Sequence, residues 1–311
     1  MNKRIAIVIP AYKNNFLVQT LDSIAAQTNH SFIVYIGDDA SPYNLQQIID
    51  RYKTKIDIVY HRFDTNLGHT DLISHWARCI TLSKEEIIWF FSDDDMMPAD
   101  GVERIFSALQ AYNEIDHILF RFPLAVINSQ NEMIRQNAPF REMETDGYHF
   151  LLDKLRGRID SAACEYVFSR YTYEQTGGFV NFPLAWCADD ATWAKFADYT
   201  GKMTALPGQP VCWRNADEQN ISNSSRYDRE KLKATKQFLC WIKQHYNAHS
   251  GEKDLRKALT TYIHTILCYS LRGNFTLYDL YQICSSLYSI DPLAAFKVAL
   301  RHFKKVKSHR K

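Results

Sequence analysis

Ile87-Ile88-Trp89-Phe90-Phe91-Ser92-Asp93-Asp94-Asp95 is the stretch from which the rest of the chain can be read. The five apolar residues predict a strand buried on both faces, the kind found in parallel sheets covered by helices. The three carboxylates behind it repel one another, and nothing in fold stability requires them there. A divalent cation on a phosphorylated ligand relieves that repulsion, because hard oxygen donors suit Mg²⁺ or Mn²⁺. The bland alternative is a solvated turn capping the next helix, since Asp is favoured at helix starts.

Outward from this strand, two hydrophobic periods alternate. Ile5-Ala6-Ile7-Val8-Ile9 is an uninterrupted apolar strand stopped by Pro10, and residues 14–27 carry apolar side chains at helical spacing. Strands are expected at 32–36, 56–60, 86–91 and 115–122, with helices at 43–52, 71–82 and 99–112. This alternation predicts an α/β fold with a mainly parallel sheet and helices on both faces. Ligands bind such sheets outside the carboxyl ends of the strands. Polar residues gather at those ends: Tyr12, then Asp38 and Asp39, then Asp93 to Asp95.

From 124 to 210 the pattern is irregular, with Gly177-Gly178 and Pro183 as breakers and a helix expected at 189–199. Past 225 four amphipathic helices are expected, at 226–246, 252–271, 276–288 and 292–309. The expected division is an α/β domain at 1–225 and a helical region at 226–311. The first has a nucleotide-binding half near 1–122 and an acceptor half near 123–225.

With 311 residues the chain can bury a sizeable core. A net charge of +2 argues against nucleic acid as a partner. The seven cysteines stand singly without a C-x-x-C pair, which favours reduced thiols over a zinc site or a disulfide framework. The start lacks a signal-peptide pattern and no apolar run is long enough to span a bilayer, so a cytoplasmic location is expected. The last helix differs from the others. Phe296, Ala299, Leu300 and Phe303 form an apolar stripe among Lys297, Arg301, Lys304, Lys305, Lys307, Arg310 and Lys311. Such a helix can lie on an anionic membrane, so residues 292–311 are a candidate peripheral contact; a packed helix with a solvated basic end is the alternative.

Several short segments, in order and on the expected elements, resemble family 2 glycosyltransferases of the GT-A type. They are Ile7-Val8-Ile9-Pro10-Ala11-Tyr12, Leu21 to Thr28, Ile36-Gly37-Asp38-Asp39-Ala40-Ser41 and Asn66-Leu67-Gly68. Ser92 to Asp95 with Pro98, Gly177-Gly178-Phe179 and Ala188-Asp189-Asp190 complete the set. The resemblance covers roughly residues 3–225. It implies an inverting, metal-dependent transferase that moves a sugar from a nucleotide-diphosphate donor, UDP-linked by preference. The acceptor implied is a glycan or a lipid-linked molecule in bacterial surface polysaccharide synthesis.

The same resemblance assigns roles. Pro10, Ala11, Tyr12 and Asp39 would hold the nucleotide base, with Asn66 and Gly68 in the following loop. The triplet resembles a D-x-D element, with Asp93 and Asp95 as metal ligands and Asp94 on the donor; Asp93-Asp94 is the other register. Asp190 would be the catalytic base, with Asp189 as its competitor. Read from the residues alone, Arg214 is a candidate phosphate contact or an ordinary surface ion pair, His69 and His75 are candidate donor-site groups or satisfied surface or core histidines, and Trp186 and Trp213 could stack on a sugar or simply pack in the core. The segment 180–187 before the base departs from the family by being apolar and aromatic.

Two other functions fit less well. A nucleotidyltransferase or a dinucleotide-binding enzyme calls for a glycine-rich loop after the first strand, where Ala11-Tyr12-Lys13-Asn14-Asn15 stands. An inactive sugar- or partner-binding protein has no need of two carboxylate clusters.

Overall fold

The structure is a computed structural model that describes residues 5–216 and 224–308. The chain packs as two compact units. The first comprises residues up to 147 together with 161–180 and 192–216, and the second comprises 148–160, 181–191 and the residues from 217 onward. The helical unit therefore draws in two segments from the middle of the chain.

In the first unit, β1 (Ile5–Ala11), β2 (Phe32–Asp38), β3 (Ile58–Arg62) and β4 (Ile87–Phe90) lie parallel in the order β3-β2-β1-β4. Ile5 to Ile9 of β1 are at most 1% exposed, which is why that run carries no polar residue. Helices α1 (Leu17–Ala25), α2 (Leu45–Ile49), α3 (Leu72–Ile80) and α4 (Gly101–Leu109) connect the strands. Local chemistry starts two of them. Asn44 accepts the N–H of Gln47 at the head of α2, and Asp71 accepts that of Ser74 at the head of α3.

Past α4 come β5 (Leu119–Arg121), β6 (Leu124–Ile127), β7 (Met133–Gln136), β8 (Glu144–Thr145) and β9 (Tyr166–Ser169). Strands β10 (Met203–Ala205) and β11 (Val211–Arg214) follow α5 (Gly147–Leu155), α6 (Arg170–Gln175) and α7 (Ala188–Thr200). The main sheet continues β4-β9-β5-β10-β8. Strand β9 runs antiparallel to both β4 and β5, and this short run inside an irregular stretch gave no sequence signal. Trp89 of β4 stacks on Phe122 with centroids 4.6 Å apart and donates its indole N–H to Cys164 O at 2.8 Å. A second sheet, β11-β6-β7, brings Cys212 of β11 against Met96, two residues from the triplet's centre.

The second unit contains α8 (Asp228–His245), α9 (Lys253–Thr265), α10 (Leu277–Tyr288) and α11 (Pro292–Ser308). Helix α10 packs on α8 and α11, and α11 packs on α9. Thr276 and Asp279 form a capping box at the start of α10, and Asp291 accepts the N–H of Ala294 at the start of α11. The helix expected at 252–271 ends differently. Residues 266–270 after α9 form a π-helical turn, closed by the Leu271 N–H on Ile266 O. Among the described residues, no helix is long and apolar enough to cross a membrane.

Candidate active site

Parallel register brings Ala11 of β1 beside Asp38 of β2, and Val8 beside Phe90 of β4. The ends of β1, β2 and β4 therefore open on one edge, where the sequence placed its polar residues.

The triplet is a knot of hydrogen bonds. Asp93 accepts the backbone N–H groups of Tyr12 at 2.7 Å and Lys13 at 2.8 Å. Asp94 pairs with the Lys13 ammonium at 2.8 Å. Asp95 accepts the Arg214 backbone N–H at 2.8 Å through one oxygen and the Ser92 hydroxyl through the other. Relative exposure is 6%, 8% and 1% for Asp93, Asp94 and Asp95. Asp95 is thus an anchor turned into the protein, while Asp93 and Asp94 stand nearer the surface.

Burial, then the charge of Asp94, pushes the Asp93 carboxyl up to about 6 and that of Asp95 up to about 7. Burial alone would depress the Lys13 ammonium, yet Asp94, Asp93 and Asp95 together leave it raised. Lys13 and the Arg214 guanidinium together do not offset three carboxylates. That surplus of negative charge, carried on oxygen donors, fits a hard divalent cation.

Arg214 is wholly buried, not a surface ion pair. Its Nε donates to Asp94 O at 2.8 Å, and its Nη1 donates to Asn128 O at 2.9 Å and Asn131 Oδ1 at 2.6 Å. It clamps the backbone of the aspartate loop to the second sheet. Trp213 beside it is half-buried against the core.

Asp38 and Asp39 divide their work. Asp38 accepts from Ser41 N at 2.7 Å, Tyr60 Oη at 2.5 Å and Arg62 Nη1 at 2.8 Å, so it braces the rim. Asp39 accepts the N–H groups of Leu67 and Gly68, both at 2.8 Å, and pairs with the Arg78 guanidinium. Gly68 is required there, because a Cβ would come 2.6 Å from Asp39 Oδ2. Asn66 turns the same loop by accepting the His69 N–H at 2.9 Å. The Tyr12 side chain, 40% exposed, is open at the rim.

His69 is exposed, whereas His75 is buried beneath Asp39. His75 Nδ1 lies 3.3 Å from Asp39 and 3.0 Å from Arg78 Nε. The guanidinium N–H must donate to that nitrogen, so His75 is neutral, and burial holds it down at about 4 against the pull of Asp39. Lys13 and Arg78 join the acidic rim through contacts with Asp94 and Asp39 that the sequence did not reveal, and Arg214, which the sequence left open, joins it through Asp94 O. Of the two that the sequence did not reveal, Lys13 had a visible signal, its place directly after Tyr12 in the β1 turn.

In the second unit, Asp189 and Asp190 open α7. Asp190 lies 3.4 Å from the Lys154 ammonium of α5. Burial, then the Asp190 charge, pushes the Asp189 carboxyl up to about 7. The apolar stretch before them is conformationally unusual, with Leu184, Ala185 and Cys187 all at positive φ between 55° and 63°. Cys187 contacts the Tyr262 hydroxyl at 2.8 Å, and Trp186 lies under the Lys231 ammonium at 5.3 Å.

Comparison with known proteins matches this architecture. The profile of Glycosyl transferase family 2 matches residues 6–164, just over half of the chain. The chain belongs to that family and is a glycosyltransferase of the GT-A fold. Among solved structures, Staphylococcus aureus TarS residues 1–349 in complex with UDP-GlcNAc superposes with a TM-score of 0.69 at 14% identity, covering 99% of this chain and 91% of that one. The UDP complex of the same protein gives 0.68 at 14% identity, with the same coverage. The mannosyltransferase PcManGT from Pyrobaculum calidifontis, in complex with GDP-Man and Mn²⁺, gives 0.52 at 14% identity, covering 96% and 87%. A search of curated protein sequences gave no match.

Proposed function

We propose that this chain is an inverting, divalent-metal-dependent transferase that takes a nucleotide-diphosphate sugar, UDP-linked by preference. The observation that carries this reading is the buried Asp93-Asp94-Asp95 cluster at the tips of β1 and β4, whose surplus charge Lys13 and Arg214 offset only in part. The complexes of TarS with UDP-GlcNAc and of PcManGT with GDP-Man and Mn²⁺ support the donor class and the ion.

Mg²⁺ or Mn²⁺ would be held by Asp93 and Asp94, with Asp95 as the inner anchor instead of an outer ligand. The geometric reason is that Asp95 spends both oxygens on Ser92 and Arg214. When bound, the ion supplies Lewis-acid stabilisation of the departing diphosphate. Tyr12 presents its ring to the base beside Pro10 and Ala11. Asp39 fixes the loop of Asn66 and Gly68 that closes the nucleotide side. Asp190 takes the acceptor hydroxyl's proton, and Asp189 tunes its charge. A single displacement by the acceptor oxygen, on the face opposite the leaving diphosphate, gives inversion.

The acceptor is a glycan or lipid-linked molecule in bacterial surface polysaccharide assembly, and the enzyme works against the inner face of the cytoplasmic membrane. On α11 the buried face is Ala294, Ala295, Val298 and His302, whereas Phe296, Leu300 and Phe303 are 61%, 63% and 49% exposed. Tyr278, Tyr281 and Tyr288 of α10 are likewise exposed. An outward apolar face carrying Lys297 and Arg301 fits an anionic bilayer surface. The side chains of Lys304, Lys305 and Lys307, and all of Arg310 and Lys311, lie outside the described residues.

Thermal-shift screening of UDP- and GDP-sugars with and without Mn²⁺, followed by nucleotide release with candidate acceptors, tests the reaction. Stabilisation by a nucleotide sugar only when Mn²⁺ is present supports it. Sedimentation with phosphatidylglycerol vesicles tests the membrane face. Wild type should pellet with them and the Phe296→Ser/Leu300→Ser double variant should stay in solution.

A further inference from the structure

We infer a second metal site, of the nitrogen- and sulfur-donor class, formed by His264, Cys268 and His302 in the helical unit. It rests on different residues from the transferase reading and stands or falls separately. His264 is in α9, Cys268 is four residues on in the π-helical turn, and His302 comes from α11. One donor atom from each lies within 4.8 Å of the other two. His264 Nδ1 is 3.3 Å from His302 Nε2 and 3.5 Å from Cys268 Sγ.

Those two separations match two edges of a metal tetrahedron, and the third pair, Cys268 and His302, lies within 4.8 Å. Zinc–nitrogen bonds of about 2.0–2.1 Å and a zinc–sulfur bond of about 2.3 Å give N···N near ~3.3 Å and N···S near ~3.5 Å. The π turn matters to this geometry, since such bulges re-aim side chains and concentrate at functional positions. His302 is fully buried, with Phe275 edge-on to its ring at 6.1 Å, so its ring is already oriented. Imidazole and thiolate donors select Zn²⁺ or its chemical relatives over the Mg²⁺ and Mn²⁺ suited to the aspartates. The lack of a C-x-x-C pair hid the site in the sequence, because the fold draws its ligands from two helices.

Binding replaces the Cys268 thiol proton, released to solvent, with a metal–sulfur bond. It leaves a fourth position for water and ties α11 to α9. Arg301 competes with it. Its guanidinium nitrogen lies 3.0 Å from His264 Nε2, a contact that favours the proton on Nδ1, whereas a metal on Nδ1 requires the proton on Nε2. Arg301 is exposed and can turn to solvent.

The test is Co²⁺ titration of the chelator-treated full chain, followed by optical spectroscopy. The expected result is one equivalent of tetrahedral cobalt with a thiolate charge-transfer band. The band should be absent in Cys268→Ser and retained in Cys284→Ser and Asp94→Asn. His302→Gln should weaken binding about tenfold or more, and Arg301→Ala should tighten it. Thermal melts verify that each variant folds. If Cys268→Ser does not fold, His302→Gln decides, with unchanged cobalt affinity overturning the site. No thiolate band in folded wild type, or a band that survives Cys268→Ser, also overturns it.

Discussion

Asp93 accepts the backbone N–H of Tyr12 at 2.7 Å, so one carboxylate fixes the turn after β1 from the loop after β4. The same oxygen accepts the Lys13 N–H. Asp93 therefore shapes the edge on which a donor would rest, as well as charging it.

Asp93→Ala leaves two part-buried N–H groups without their acceptor, at about 1–3 kcal/mol apiece. Relief of repulsion with Asp94 offsets part of this, giving a net loss of about 2 kcal/mol. Asp93→Asn keeps an acceptor oxygen and should melt within about 1 kcal/mol of wild type while losing nucleotide-sugar binding. Urea unfolding of both variants measures the difference, and equal stability of the two would show that the Tyr12 and Lys13 bonds contribute nothing.

Arg214→Met removes the guanidinium that holds Asp94 O, Asn128 O and Asn131 Oδ1. Stability should fall by about 2–4 kcal/mol. Arg214→Lys should recover little, because an ammonium cannot reproduce the planar fork. Full recovery by lysine in urea unfolding would refute the clamp.

His75 gives a pH dependence. Its folded value of about 4 lies below its ordinary 6.5. Between these the unfolded chain binds a proton that the folded chain does not. Stability from this group is therefore complete above 6.5 and is lost as pH falls toward 4. The loss is on the order of 1–3 kcal/mol. His75→Gln should show a flatter decline than wild type between pH 7 and 4.5; parallel declines would mean that His75 titrates normally.

Asp189 has the opposite sign. Its folded value of about 7 lies above the ordinary 3.8, so the folded chain holds the extra proton between them. Its stabilisation is present at pH 4 and lost as pH rises through 7. Asp189→Asn should therefore be more stable than wild type at pH 8, by on the order of 1–2 kcal/mol, and equal at pH 4. Asp190→Asn should bind donor normally and transfer sugar about 10²–10⁴-fold more slowly.

The β/α alternation and the strand-end acids were legible because fully apolar runs such as Ile5 to Ile9 leave no alternative to a buried strand. The antiparallel insertion of β9 was not, since pairing partners are set by tertiary contacts that four residues cannot encode. On α11 the apolar stripe was visible, but a stripe implies burial only when something covers it. The structure buries Ala294, Val298 and His302 instead. Asp95 looked equivalent to Asp93 because spacing does not reveal which carboxylate turns inward toward Arg214.

Calorimetric titration of UDP and GDP into wild type and Asp94→Asn, each with and without Mn²⁺, goes furthest toward deciding the matter. Nucleotide should bind wild type only with Mn²⁺ and should bind Asp94→Asn at least about tenfold more weakly, about 1.4 kcal/mol, at unchanged melting temperature. Equal affinity with and without the ion, or in Asp94→Asn, would contradict a cation held by the strand-tip carboxylates.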